Sequence, residues 1–197
     1  IGIPPGCDSD DLGVDPVRMI RYAGALTQHP RSAVTLEGVV SDYIDGIETR
    51  VDQFSCRWVP VLEEDQNRCG LTNSRLGVDL TVGDWVYDLS GAFNLAIGPL
   101  DWETYKRFLP GRRDHGEVRS LVRLYCQDPL WFTIELRIKP QEIPALRLTS
   151  DESAGMLGMT TWVRTEEIME TSVAFDESSM MCMASGSAAD AVECEAV

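Results

Sequence analysis

Between Asp15 and Gly46 the apolar positions recur at helical spacing. Asp15-Pro16 pairs a side-chain acceptor at the N-cap with a residue that has no N–H to leave unsatisfied at the first helical position. Val17, Ile20 and Gly24 mark one face of a helix predicted to run to about Gln28, and His29-Pro30 ends it. Ser32 can cap a second helix in which Leu36, Val39, Val40 and Tyr43 share a face, with Gly46 as its stop. The short connection predicts an antiparallel helical pair.

The period then shortens. Ile47 to Phe54 has β character with imperfect alternation, and Pro60 to Val82 is polar, turn-rich and predicted to be a long surface loop. Trp85, Tyr87 and Leu89 alternate with Asp84 and Asp88, Ser90-Gly91 supplies a tight reversal, and Phe93, Leu95 and Ile97 alternate on the way back. That pattern predicts a hairpin broken at Gly98-Pro99. Asp101 opens a helix carrying Trp102, Tyr105, Phe108 and Leu109, which Pro110-Gly111 ends. A further helix from about Glu117 places Val118, Leu121, Val122 and Tyr125 together.

Phe132, Ile134, Leu136 and Ile138 alternate strictly with Thr133, Glu135, Arg137 and Lys139, which predicts a strand with one wet face in an antiparallel sheet. Ala145 to Leu148 and Gly158 to Arg164 are short edge-strand candidates. Helices and strands come in blocks, so the class is α+β: a helical pair, then a mainly antiparallel sheet with hairpins and two further helices. Beyond about Ser172 the apolar period is lost, and a disordered acidic C-terminal tail is expected. The expected divisions are a loop over 1–14, an α+β domain over 15–165 and a low-complexity tail over 166–197.

Composition narrows the function more than the fold. The formal charge of −15 argues against nucleic-acid binding, which needs a basic patch. Eight of the acids fall between Thr165 and Val197, where there is no Lys or Arg. No apolar run approaches a membrane span, so direct membrane insertion is not expected. The six cysteines form no CxxC and read as reduced cytosolic thiols. The opening on Ile1, inside a loop-like stretch, predicts that an N-terminal part of a longer protein precedes it.

Candidate chemistry is sparse. Asp8, Asp10 and Gly13 echo a calcium loop, but Leu12 and Met19 stand where oxygen ligands are required. His29 and His115 are far apart, with no cysteines spaced to complete a zinc site, and read as capping or surface residues. Met180-Met181-Cys182-Met183 offers soft sulfur to Cu(I), in a stretch that reads as tail. No GxSxG, P-loop or GxGxxG is present. Cys56 and Cys126 read as structural thiols, and the carboxylates of Asp84 and Asp88 as a solvated strand edge. No catalytic residue, metal or cofactor is expected. What remains is aromatic surface: most of Trp58, Trp85, Trp102, Trp131 and Trp162 should fill the core, with one or two left for a partner.

An ordered set of short segments carries a family resemblance. It runs through Gln53-Phe54, Arg57-Trp58, Gln66-Asn67-Arg68-Cys69-Gly70, Leu76-Gly77, Val82-Gly83-Asp84-Trp85-Val86-Tyr87-Asp88 and Phe93-Asn94-Leu95-Ala96-Ile97-Gly98-Pro99-Leu100. It continues through Phe108-Leu109-Pro110-Gly111, Leu121-Val122-Arg123-Leu124-Tyr125, Ile143-Pro144-Ala145-Leu146 and Leu157-Gly158-Met159-Thr160-Thr161-Trp162-Val163. Over about Asp15 to Val163 the chain resembles the C-terminal half of TssG, the ImpH/VasB family of bacterial type VI secretion systems. Cys69 departs from the family's usual Leu, and Met159 from a common Trp.

The resemblance implies a non-enzymatic baseplate component, cytoplasmic and associated with the membrane-docked assembly. Such a component joins TssF-like proteins into a wedge and reaches a TssK-like protein through extended loops. Either the loop over 60–82 or the turn from Pro110 to Gly116 would meet the TssK-like partner. The candidate interface residues are Phe54, Trp58, Arg68, Trp85, Phe93, Trp102, Phe108 and Trp162. Two alternatives remain open at this point. One is a small-molecule-binding or hydrolase domain whose site needs a preceding N-terminal part; the other is a truncated product that no longer assembles.

Overall fold

The computed structural model describes residues 13–144, 156, 158–161 and 171–176. Within them the order is α1 (Pro16–Arg21), α2 (Ala23–Thr27), α3 (Ala33–Tyr43), β1 (Thr49–Gln53), β2 (Arg57–Pro60), β3 (Trp85–Asp88) and β4 (Ala92–Leu100). There follow α4 (Trp102–Arg107), α5 (Arg113–Tyr125), β5 (Trp131–Ile138), a 3-10 turn (Pro140–Glu142) and β6 (Thr171–Asp176). The class is α+β, with one four-stranded sheet in the order β1-β4-β5-β6 and a separate two-stranded sheet of β2 and β3.

The helical starts follow their sequence signals, but the face read from Val17, Ile20 and Gly24 is exposed, and Met19, Tyr22 and Leu26 enter the core instead. The Asp15 side chain accepts from the Val17 N–H and Ser32 Oγ from the Thr35 N–H, so each start has its N-cap bond. The first helix divides at Tyr22 into α1 and α2. Arg21 pairs with Asp42 at 2.8 Å, the Tyr22 hydroxyl donates to Asp42 at 2.6 Å, and Arg18 lies over the Tyr43 ring. These contacts hold α1 against the last turn of α3. Arg31 then ties this pair to α5, donating to the carbonyls of Leu124, Tyr125 and Leu26. Those carbonyls end helices and would otherwise lack partners.

The sheet departs from the expected pairing in three places. No hairpin joins β3 to β4: β3 pairs with β2 (Trp58 opposite Tyr87), while β4 lies between β1 and β5. The burial of the two strands explains this. β4 is buried or half-buried at every residue but Pro99 and has a neighbour on both edges, whereas β3 is exposed along most of its length. The expected break at Gly98-Pro99 is a register shift between Ile97 and Leu100 within a continuing strand. A Cβ on Gly98 would sit 2.4 Å from the Arg137 carbonyl oxygen, so only glycine lets the strands approach there.

The third departure is β5, which runs parallel to β4, because α4 and α5 form a crossover that returns the chain in the same direction. Its other edge pairs antiparallel with β6, and its alternation is as the sequence implies. β6 lies inside the stretch expected to be tail, with Phe175 at 8% exposure in the core. Six residues suffice because β5 offers a ready edge.

Smaller differences have local causes. α5 starts at Arg113, one turn before the expected Glu117. Asp101 makes no side-chain cap bond; instead the Trp102 N–H donates to Glu142 at 3.0 Å, and Asp101 pairs with Lys139. Residues 158–160 form a turn, not an edge strand, and Ala145 to Leu148 lie outside the described residues. One core unites the helices and the four-stranded sheet, centred on Leu95, Ile97, Tyr105, Leu121, Val122 and Leu136.

Candidate functional site

The two-stranded sheet stands apart from that core. The chain leaves β1 through Phe54, which has φ 62, a left-handed conformation rare for a bulky side chain. It runs out along β2, through residues 61–84, and back along β3. Strand alternation places Trp58 and Pro60 on the same face as Tyr87 and Trp85. Trp58 and Tyr87 are directly opposite, with ring centroids 5.1 Å apart and planes tilted by 57°. Trp58, Trp85 and Tyr87 are 61%, 47% and 51% exposed, so this aromatic face is open.

The base of the arm is clamped. Arg57, on the opposite face, lies 3.4 Å from Asp88, its partner across the ribbon, and 5.2 Å from the Trp131 ring centroid at the start of β5. Asp88 Oδ1 accepts from the N–H groups of Ser90 and Gly91, both at 3.0 Å, which turns the chain out of β3 and into β4. Those two N–H groups, then the Arg57 guanidinium, hold the Asp88 carboxyl below the usual carboxylate range. A Cβ on Gly91 would meet Asp88 Oδ2 at 2.2 Å. Asp88 is thus a structural anchor.

At the far end the loop is organised by its own backbone. The Val61 N–H donates to Asp84 O at 2.8 Å, Asn73 Nδ2 bridges the carbonyls of Glu64 and Gln66, and Arg75 N–H donates to Asp79 at 2.8 Å. With these polar groups tied inward, Leu62, Leu71, Leu76, Val78 and Val82 face solvent, Leu76 at 87% exposure. So many large apolar side chains on one segment make it the candidate interaction surface.

The sequence candidates divide accordingly. Phe54, Trp58, Arg68 and Trp85 lie on the arm or at its hinge and are exposed. Phe93 and Phe108 are buried in the core, Phe93 stacked on Phe132 at 5.6 Å, and so are closed to a partner. Trp102 is half-buried and stacked on Tyr105. Trp162 lies outside the described residues. Sequence reasoning missed Tyr87 and the loop leucines and valines; their one signal is that large apolar residues recur in a polar stretch with no helix or strand period. The turn from Pro110 to Gly116 is mostly absorbed into α5, where Asp114 pairs with Arg107 at 2.6 Å.

The described residues offer little for catalysis. Cys126 lines a cleft of about 400 Å³ between α3, β1 and the end of α5, but burial pushes its thiol up to about 11, away from a nucleophilic thiolate. His115, expected at a surface or cap, is buried at 2% exposure, where its Nδ1 donates to Phe108 O at 3.0 Å. Among the described residues no group of three or more His, Cys, Asp or Glu is placed to hold a metal ion, and no helix is long and apolar enough to cross a membrane.

Fold and arm together make an α+β body that holds out a clamped ribbon with an open apolar face. Comparison with known proteins identifies its family. The family model for type VI secretion TssG matches residues 2–164, and the chain belongs to that family. The structure is similar to a chain of the type VI secretion system TssK-TssF-TssG baseplate subcomplex solved by cryo-electron microscopy. The TM-score is 0.70 at 20% identity, covering 88% of this chain and 72% of that one. It is also similar to a chain of the baseplate complex from the type VI secretion system, with a TM-score of 0.58 at 20% identity. That likeness covers 88% of this chain and 49% of the other, so the chain spans about half of that relative. No curated protein sequence matches.

Proposed function

We propose that this protein is a structural component of a type VI secretion baseplate, which scaffolds a wedge with TssF-like proteins and docks a TssK-like protein through the arm. It acts by shape and performs no chemistry. The observation that carries the proposal is the arm itself: a family member holds out a ribbon whose aromatic face and apolar loop have nothing to cover them within the described residues. The solved structure with the higher TM-score belongs to a TssK-TssF-TssG baseplate subcomplex, which supports the choice of partners. Within the chain we take 15–165 as the domain body, extended by β6, and the remainder from 166 as an acidic tail. The protein works in the cytoplasm, against the docked assembly.

Phe54, Trp58, Arg68 and Trp85 remain the proposed contact residues, joined by Tyr87 and the loop leucines. Removing residues 63–75 takes away Leu71 but leaves the clamp at Arg57, Asp88 and Trp131 untouched. The shortened chain is expected to melt as the parent does while losing co-purification with the TssK-like protein. Retained co-purification removes the loop over 63–75 from the assignment.

A further inference from the structure

On the docking reading above, we infer the chemistry of the arm's partner: a protein surface with an apolar trough bordered by lysine and arginine side chains. Three observations lead there. The first is the marginal nature of the ribbon. Two strands of four residues, with an aromatic face 47–61% exposed, are not independently stable in water and gain from being covered. The second is the shape of the loop. Leu71, Leu76, Val78 and Val82, 76–87% exposed, project from a narrow segment whose polar backbone is already tied. Side chains presented in this way act as anchors and fit a recess better than a flat face.

The third observation is charge. Between the clamped pair Arg57 and Asp88 the arm carries Glu63, Glu64, Asp65, Asp79 and Asp84 against Arg68 and Arg75 alone, all of them exposed. This excess lies beside the leucines, so it meets the rim of whatever receives them. Complementary potential favours a basic rim, speeds encounter and rejects acidic surfaces. The same charge disfavours a second copy of this chain, because two acidic arms brought face to face repel each other.

The test uses the full chain and the TssK-like protein of the same secretion system, with association measured at about 50 and about 300 mM salt. Reversing Glu63→Lys, Glu64→Lys and Asp65→Lys is expected to slow association about tenfold and to flatten its salt dependence. Leu71→Asp with Leu76→Asp is expected to weaken binding about a hundredfold or more. Both sites are exposed, so thermal melting should be unchanged and serves as the folding control. Unaltered association and salt dependence in the charge-reversed chain, with the leucines still required, overturns the basic rim and leaves the docking reading standing. Full binding by both variants overturns the docking reading itself. Self-association of the parent chain that Leu71→Asp with Leu76→Asp dissolves identifies a second copy as the occupant and likewise overturns the inference.

Discussion

His115 sits where α5 begins, its ring edge-on to Phe175 of β6 with centroids 6.2 Å apart and its Nδ1 donating to the carbonyl of Phe108. Burial holds its pKa below the ordinary imidazole value of 6.5, and the positive charge of Arg119 acts in the same direction. The folded protein therefore keeps this ring neutral, whereas the unfolded chain takes up a proton as pH falls through 6.5. The contribution is fully present above that pH and is lost progressively below it, down to the folded-state pKa. Urea midpoints are expected to drop between about pH 7.5 and about pH 5.5, and to drop less in His115→Asn. An equal drop in both would assign the effect to other groups. Asp88 shows the reverse economy of chemistry: a carboxylate that resembles an acid–base candidate in sequence is occupied by two backbone N–H groups and an arginine.

Among the elements, α4 shows how a local signal gives way to a tertiary one. Asp101 has the residue type of an N-cap, yet its carboxylate is drawn to Lys139 and the cap bond comes from Glu142, 40 residues away. Glu142→Ala is therefore expected to cost about 0.5–2 kcal/mol, as the loss of a cap does, while Asp101→Ala should cost less. Chemical denaturation of the two variants decides it; the opposite order would return the cap to Asp101. β3 and β4 make a similar point. Their shared turn is legible in Ser90-Gly91, but a turn shows only that the chain changes direction, not that the flanking strands pair. Asp88 and Gly91 swing the chain from the arm into the main sheet instead.

For the whole molecule the question is where the body ends. The family match stops at residue 164, but β6 lies beyond it and pairs with β5 from Thr133 to Ile138. A chain ended at residue 170 loses that strand and uncovers the surface under Phe175. It is expected to be less stable by about 3–5 kcal/mol, the scale of removing one buried phenylalanine, and to expose a β5 edge prone to association. Phe175→Ala should lower the thermal midpoint without creating the open edge, which separates the two effects. A truncated chain as stable as the parent would show that β6 adds nothing to the body.

Helical spacing, capping residues and strict alternation determined the helices, β5, the α+β class and the long loop, because each depends on neighbours a few residues apart. The absence of a catalytic motif and the family resemblance were legible for the same reason, as both are written in short segments. Partner choice among strands was not. That β4 stands between β1 and β5, that β5 runs parallel to it, and that β6 closes the edge all depend on which surfaces most need burial once the chain has collapsed. The same selection separated two kinds of aromatic residue that look alike in sequence. Phe93 and Phe108 went into the core, where the sheet and helices had room for them, and Trp58, Trp85 and Tyr87 stayed outside on a ribbon that the core does not reach.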